Sequence, residues 1–324
     1  MCKIIGIDIS KQTFDVCFRQ GNKLKHHVFD NKLVGFKSLK KLLTTEDIDI
    51  MEASGPYYVQ LANFLHNKSI RVSVVNPLAI KRYSQMQFYR AKTDKKDASI
   101  IMEYGELQKE TLPLWNPVSK TIGSLKQLHS CLELLIKQKY QVQRQLEAFT
   151  TTGYIDLEVS KTLKSMIKSL EKRIDKLEQQ MLLICKRDYE KTFDVLTSIP
   201  GIGKKTAIML IVITNDFTKF KHYKQLIAYV GFSPRIYQSG TSVKGKGHIC
   251  KMGKSQIRKL LYLCSWSAKR CNKTCVEMYQ RLKAKGKPER VIKIAIANKL
   301  LKQAFAVATT KQKYVENYQT NVCF

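Results

Sequence analysis

Acidic residues are scarce in this sequence. It has 26 Asp and Glu among 324 residues, against 57 Lys and Arg, and its formal net charge is +31. A compact chain with so much charge of one sign repels itself unless a polyanion neutralises it. We therefore expect nucleic acid as the partner, ahead of an anionic membrane surface.

Long apolar segments are also missing. No apolar run is long enough to cross a bilayer, and no segment forms an amphipathic helix with a clean basic face. Residues 1–10 have the pattern of a strand, whereas a signal peptide has a basic start followed by an apolar run. We expect a cytoplasmic protein with no membrane partner.

Nine cysteines are scattered along the chain, and no two of them form a C-x-x-C pair. Cys271 and Cys275 are close in sequence, but no histidine pair completes a zinc set. The cysteines therefore predict reduced thiols in the core and on the surface, and neither a structural zinc site nor a disulfide framework.

Residues 1–115 alternate between strand and helix patterns. The segments are strands at 3–9, 14–19 and 24–29, a helix at 33–43, a strand at 48–51, a helix at 57–66 and a strand at 72–75. This is the order of an RNase H-like fold, although many α/β folds share part of it. The sequence thus predicts an RNase H- or RuvC-like α/β domain over residues 1–115.

Apolar residues in the middle of the chain recur at alternating steps of three and four. One set contains Leu125, Leu128, Leu132, Leu135, Val142, Leu146 and Phe149, with Lys139 at one seam position, and the other contains Leu163, Ile167, Leu170, Ile174, Leu177 and Met181. Heptad spacing on two arms predicts a helical hairpin or coiled coil over residues 116–190. An apolar seam favours self-association, with an ordinary helix pair inside one protomer as the alternative.

The last segment, residues 191–324, is predicted to be a mainly helical and strongly basic domain. It has no acidic residue between Asp216 and Glu277. A solvated surface normally mixes both signs of charge, so this stretch predicts a nucleic-acid-binding surface.

Four acidic residues of the first domain suit a metal site. Asp8 lies near the end of the first predicted strand, Glu52 ends a later one, and Asp94 and Asp97 open a predicted helix. A spacing of three puts the last two on one helix face, and the first two lie on neighbouring strands of an RNase H-like sheet. Clustered carboxylates repel one another unless divalent cations lie between them, so the set predicts two Mg²⁺ ions that bind a phosphodiester. Taken singly, Asp94 is better explained as a helix cap and Asp97 as a first-turn partner of the helix dipole.

Residues 198–207, with the sequence SIPGIGKKTA, resemble a helix-hairpin-helix motif that binds a DNA backbone. The glycines permit a tight turn, and amides at the N-terminus of the next helix can face a phosphate. Lys204 and Lys205 are the contacts expected there. The segment is not a P-loop, because it lacks the P-loop's glycine spacing and its Gly-Lys-Ser/Thr ending.

A glycine-rich loop at residues 237–248 lies among basic residues. Its flexible backbone allows close approach to phosphates. The hydroxyls of Ser239, Thr241 and Ser242 are candidate nucleophiles, although the chemistry alone favours phosphate hydrogen bonding by Ser239. The basic residues predicted to contact nucleic acid here are Arg235, Lys244, Lys246, Lys251, Lys254 and Arg258.

Together these elements resemble the DEDD transposases of the IS110 insertion-sequence family, relatives of the Piv DNA invertase. The similarity runs in the family's order through residues 6–11, 52–57, 75–77, 92–98, 199–203 and 233–253. It covers nearly the whole chain, and the motifs are specific as a set and not singly.

The resemblance implies a RuvC-like domain whose four acids bind Mg²⁺, or Mn²⁺ in its place. It also implies a C-terminal transposase domain in which Ser239 becomes covalently linked to the cleaved DNA strand, with Thr241 and Ser242 as alternative nucleophiles. Family members use a structured noncoding RNA, the bridge RNA, to choose donor and target DNA, and they assemble as dimers that pair into tetramers. The resemblance further implies a bacterial protein associated with the nucleoid.

Two other functions are compatible with the sequence. A RuvC-like structure-specific endonuclease would use the four acids but not Ser239. A non-catalytic nucleic-acid-binding protein would keep the carboxylates for structure alone. Covalent attachment of the protein to DNA separates the recombinase from both.

Overall fold

The computed structural model describes residues 2–89, 93–235, 237–239, 243–244 and 247–316. The chain divides into two units, Met1–Pro117 and Val118–Phe324. The elements of the first unit are β1 (Ile4–Ile9), β2 (Thr13–Gln20), β3 (Lys23–Asp30), α1 (Leu33–Lys40), β4 (Ile48–Glu52), α2 (Tyr58–His66), β5 (Arg71–Val75), α3 (Pro77–Met86) and α4 (Asp94–Leu107).

The five strands of this unit form one sheet with the order β3-β2-β1-β4-β5. β1, β2 and β3 are antiparallel neighbours, whereas β1, β4 and β5 run parallel. The predicted strands and helices are present, and their ends differ from the predicted ones by no more than three residues. This mixed α/β unit fits an RNase H-like domain.

Helices cover both faces of the sheet. On one face, Ile5 and Ile7 of β1 pack with buried residues of α1 and α2, among them Leu39 and Leu61. On the other face, Ile50 of β4 packs against α3 and α4. Alternate residues of a strand point to opposite faces, so the even-numbered residues of β1 and β4 lie under α4.

Asp49 is a buried carboxylate inside this sheet. It is fully buried on β4, and neither of its carboxylate oxygens has a hydrogen-bond partner among the described residues. Burial raises the pKa of Asp49 well above its usual range, the nearby Asp47 raises it further, and Lys40 opposes the shift. Asp47, also buried, instead accepts hydrogen bonds from the amides of Lys3 (2.9 Å) and Thr44 (2.8 Å).

Replacing Asp49 with valine is expected to stabilise the protein by about 1–3 kcal/mol at neutral pH, because an unpaired polar group leaves the core. The folded pKa of Asp49 is raised, so the wild type loses stability as pH rises above the unfolded value of about 4. The gain should therefore shrink towards pH 4. Denaturant unfolding at several pH values measures it.

Asp47→Ala is the matched control, because it removes a carboxylate that does have partners, and it should lower the free energy of unfolding. A destabilised Asp49→Val protein, or a gain that does not depend on pH, would contradict the account of Asp49.

The second unit is mainly helical. Its elements are α5 (Lys120–Thr151), α6 (Leu157–Asp188), α7 (Glu190–Thr197), α8 (Lys204–Thr214), α9 (Tyr223–Val230), β6 (Pro234–Arg235), β7 (Gln238–Ser239), β8 (Val243–Lys244), β9 (His248–Ile249), α10 (Ser255–Cys271), α11 (Lys273–Ala284) and α12 (Glu289–Thr310). β6 pairs with β9 and β7 with β8, both antiparallel. The long helices and the C-terminal helices belong to this one unit.

The two longest helices, α5 and α6, pack antiparallel to each other within the chain. Thr121 donates a hydrogen bond to Asp188 (3.0 Å) at one end of the pair, and Lys139 forms an ion pair with Glu171 (3.5 Å) farther along. Four residues of the apolar seam are buried in the core of the unit, namely Leu125, Leu132, Ile174 and Met181. Part of the apolar seam is thus covered inside one chain.

Candidate metal centre and nucleic-acid interface

Asp8 and Glu52 lie at the ends of two parallel neighbouring strands. The register pairs Gly6 of β1 with Ile50 of β4, so two residues farther along Asp8 and Glu52 reach the same edge and the same face of the sheet. Both are half-buried. The α/β topology therefore delivers two of the predicted acids to one place.

Helix α4 carries the other two acids. Thr93 caps this helix by accepting a hydrogen bond from the amide of Lys96 (3.2 Å), so the expectation that Asp94 is the cap is corrected. Asp94 and Asp97 occupy the first turn, where the helix dipole favours negative charge. Asp94 is exposed and Asp97 half-buried.

Gly6 allows α4 to lie directly on β1. A Cβ at Gly6 would collide with the carbonyl oxygen of Ala98 and the amide nitrogen of Met102, both in the backbone of α4. Asp97 precedes Ala98, and Asp8 lies two residues after Gly6. The close approach of helix and strand therefore places Asp97 beside Asp8.

A Gly6→Ala substitution is expected to push α4 away from β1 and to separate Asp97 from Asp8. The overpacking should cost about 1–3 kcal/mol of stability, and the stabilisation that the protein gains from added Mg²⁺ should weaken. Thermal denaturation with and without Mg²⁺ measures both effects. Gly123→Ala is the control, because a Cβ there meets open space. A Gly6→Ala protein with unchanged stability and metal response would contradict this packing argument.

The pKa of Asp8 reflects its burial and the acidic residues near it. Burial raises the pKa of Asp8 to about 6, and the charges of Asp97, Asp94, Glu52 and Asp15 raise it in that order after burial. The other three predicted acids therefore all act on Asp8, which is where a divalent cation would relieve the repulsion.

Asp15 is an acid that the sequence analysis missed. It lies opposite Asp8 in the antiparallel pair of β1 and β2, and it is buried. Its carboxylate is 2.7 Å from Nε2 of His26 on β3. The alternation along the first two strands is the signal that would have found it, because it places Asp8 and Asp15 on the same face.

The chemistry of the donor set suits a divalent cation. Carboxylate oxygens are the ligands that Mg²⁺ and Mn²⁺ prefer. In the side-chain positions of the described residues, however, no three Asp, Glu, His or Cys groups lie together closely enough to hold one ion. The acids act on the charge of Asp8, but their described positions do not form a closed set of ligands.

The candidate nucleophiles lie in the second unit. Ser239 is in β7, where it pairs with Val243 of β8. Thr241, Ser242 and the predicted contact Lys246 lie outside the described residues. Lys244 follows Val243 in β8.

The predicted basic contacts differ in their surroundings. Arg235, Lys251, Lys254 and Lys204 are exposed. Arg258 is half-buried, and its Nη1 donates to the carbonyl oxygen of Val230 (2.7 Å), so part of its guanidinium is used within the fold.

Lys205 forms an ion pair with Glu178 of α6 (2.6 Å). This contact ties the N-terminus of α8 to α6. Gly201, with a φ of +100°, makes the turn before α8 and contacts Ala268 of α10 so closely that a side chain would not fit.

None of the helices in the described part of the chain combines the length and apolarity that a bilayer crossing requires.

Residues 5–154 match a model of DEDD transposases of the IS110 type, and residues 194–280 match one described as "Transposase IS116/IS110/IS902 family". The chain is 33% identical over 313 residues to the pilin gene-inverting protein of Moraxella lacunata, with 94% of each chain covered.

The chain belongs to this transposase family. It is also similar to a second pilin gene-inverting protein, from Moraxella bovis, with the same identity and coverage. A transposase for the insertion sequence element IS1328 of Yersinia enterocolitica is 24% identical over 289 residues, with 81% of this chain and 82% of the relative covered.

Family membership settles the class of reaction. The protein is a DNA transposase or recombinase, and DNA is its substrate. The match to the DEDD model over residues 5–154 indicates the use of a divalent metal, and these residues contain all four predicted acids.

Proposed function

We propose that this transposase exchanges DNA strands through a covalent serine–DNA intermediate and is guided by a structured noncoding RNA. Strand exchange is supported by the similarity along 94% of the chain to a protein named for inverting a gene. Inversion requires that cut strands be rejoined, whereas a structure-specific nuclease only hydrolyses them. This similarity is the observation that carries the proposal.

Asp8, Glu52, Asp94 and Asp97 are proposed to hold Mg²⁺, or Mn²⁺, when the substrate is bound. The raised pKa of Asp8 and its four acidic neighbours support this assignment. The ion would neutralise charge on the phosphodiester and lower the pKa of a coordinated hydroxyl. The carboxylates themselves would fix the ion's position relative to the end of β1.

Ser239 is proposed to be the nucleophile. Its oxygen forms a bond to phosphorus while the bond from phosphorus to one sugar oxygen breaks, and that sugar oxygen leaves with a proton. Attack by a sugar hydroxyl of another strand reverses the exchange, so the number of phosphodiester bonds is conserved and serine is released. Thr241 and Ser242 are the alternative hydroxyls.

The basic surface of residues 191–324 is proposed to bind donor DNA, target DNA and the bridge RNA. The acid-free stretch between Asp216 and Glu277 supports nucleic-acid binding, and the resemblance to the IS110 family supports RNA guidance. The turn at residues 198–203 is proposed to act as a helix-hairpin-helix, with Lys204 exposed at the start of α8.

We further propose three functional regions, with residues 1–115 catalytic and RuvC-like, 116–190 a coiled coil that mediates dimer or tetramer formation, and 191–324 the transposase domain. The exposed apolar side chains toward the turn between α5 and α6, such as Phe149, Tyr154 and Leu157, support self-association.

The test of the proposed function is covalent capture. The protein is incubated with DNA ends and bridge RNA from its own element in Mg²⁺, then denatured, and DNA-linked protein is detected. A metal-dependent adduct supports the recombinase. Cut DNA with free ends and no adduct would support the nuclease instead.

A further inference from the structure

Three lysines from three separate elements meet on the second unit. They are Lys126 of α5, Lys219 in the turn between α8 and α9, and Lys254 immediately before α10. All three residues reach the solvent, although the surroundings of Lys126 and Lys219 are partly buried. Partial burial and the Lys254 ammonium lower the pKa of Lys126, and burial together with Lys126 and Lys254 lowers the pKa of Lys219. The three ammonium groups therefore lie near enough to repel one another.

Tyr229 of α9 holds two of these lysines in place. The Nζ of Lys219 lies 4.1 Å from the centre of the Tyr229 ring. The carbonyl oxygen of Tyr229 accepts a hydrogen bond from the backbone amide of Lys254 (3.3 Å). Gly253, with a φ of +135°, contacts that carbonyl so closely that no Cβ would fit. The chain is thus shaped to bring Lys254 against Tyr229.

Helix α5 contacts α10 close to Lys254. Gln256 of α10 donates to Glu133 of α5 at 3.5 Å. Glu133 lies two helical turns after Lys126, so both point from the same face of α5. The third lysine therefore comes from a helix that is fixed against α10.

No carboxylate neutralises this cluster in the described part of the chain. The ion pairs within 4.0 Å among the described residues involve other basic residues, and none includes Lys126, Lys219 or Lys254. Like charges that are held together without a counterion destabilise the protein until an anion binds. The first turn of α10, which has no side-chain cap, adds backbone amides beside Lys254.

We propose that Lys126, Lys219 and Lys254 form one binding site for the phosphodiester backbone of a nucleic acid. This inference rests on the proposed function, because the bound backbone would be that of the substrate DNA or of the guide RNA. It adds Lys126 of α5 and Lys219 to the proposed contacts, and neither residue lies in a motif of the sequence. The N-terminal part of α5 and the C-terminal helices would then bind the same nucleic-acid backbone.

Binding of the double variant Lys126→Gln/Lys219→Gln tests the site. The probes are a 30-base-pair duplex DNA and the bridge RNA, each titrated at several salt concentrations. Each lost phosphate contact should reduce the slope of log affinity against log salt by about 1, and lower the affinity about 8-fold near 0.1 M salt. Loss with one probe only identifies which nucleic acid uses the site.

The control is Lys68→Gln/Lys109→Gln, two exposed lysines of the first unit with the same change in net charge. It should leave the slope unchanged. Lys126→Arg/Lys219→Arg should retain most of the affinity, because the charge remains. Equal effects of the Gln pair and the control pair with both probes would overturn the proposal.

Lysine acetylation of the wild-type protein gives a second measurement that does not depend on how a variant folds. Acetylation followed by mass spectrometry should modify Lys126 and Lys219 in the free protein, and bound nucleic acid should protect both, but not Lys109. Unchanged acetylation in the complex would overturn the site. If both lysines are protected but no covalent DNA adduct forms, the binding site stands and the serine mechanism is rejected. If an adduct forms but the lysines are not protected, the serine mechanism stands and the binding site is rejected.

Discussion

An Asp8→Ala protein is expected to bind DNA and RNA at least as tightly as the wild type while losing strand cleavage. Asp8 is the half-buried acid on which Asp97, Asp94 and Glu52 all act. Without it the remaining acids would hold a metal ion weakly. A bound ion supplies several kcal/mol of transition-state stabilisation, so cleavage should fall about 10³-fold or more. Removing a negative charge does not weaken attraction to a polyanion.

Gel assays of cleavage in Mg²⁺, with binding measured in parallel, test this expectation. Glu52→Ala, Asp94→Ala and Asp97→Ala should behave in the same way. Glu110→Gln is the control, because it removes an exposed negative charge of the same unit. Full cleavage by Asp8→Ala in Mg²⁺ would reject the metal site.

Measurements of thermal stability should detect metal binding at the same site without a cleavage assay. The pKa of Asp8 is raised to about 6, so the metal-free protein loses stability as pH rises from about 4 through 6. Mg²⁺ should offset this loss, because it binds the ionised carboxylates of the folded state. The stabilisation by Mg²⁺ should be larger above pH 6 than below it, and Asp8→Ala should lack most of it.

A Ser239→Ala protein is expected to bind its nucleic acids normally and to form no covalent adduct with DNA. The alanine removes only the hydroxyl oxygen that the proposed intermediate requires. A serine hydroxyl is a poor nucleophile without activation, so no neighbouring backbone group should replace it. Denaturing gels with labelled DNA measure the adduct directly.

Thr241→Ala and Ser242→Ala are the matched controls, since each removes one hydroxyl from the same loop. Both should retain the adduct. An adduct in Ser239→Ala that disappears in one of the other two would move the nucleophile to that residue. Metal-dependent cutting by Ser239→Ala, with free DNA ends, would favour the nuclease.

The sequence predicted the sheet because each of its strands has a clear pattern. Alternation marked β2 and β3, short apolar runs marked β1, β4 and β5, and their order indicated which strands are neighbours. Asp8 and Glu52 could therefore be assigned to one edge. Helix α3 was not predicted, because an Asn-Pro pair directly after the strand at 72–75 also marks a turn. In the structure Asn76 caps the helix and Pro77 takes its first position.

Other features depend on contacts between residues that are distant in sequence. The approach of α4 to β1 requires Gly6 to meet Ala98, and no local pattern reveals that pairing. Lys126 and Lys219 are separated by about ninety positions, and only the packing of α5 against the C-terminal helices brings their charges together. A cap was the alternative explanation of Asp94, but Thr93 takes that position, which both residue types favour.

Identification of the residue that carries DNA after the reaction tests the account most directly. Wild-type protein is incubated with its DNA and bridge RNA in Mg²⁺ or in EDTA, denatured and digested, and the peptides are sequenced by mass spectrometry. The account predicts a nucleotide on the peptide that contains Ser239, attached to that serine, in Mg²⁺ alone. Cleaved DNA in Mg²⁺ with no nucleotide on any peptide would contradict it.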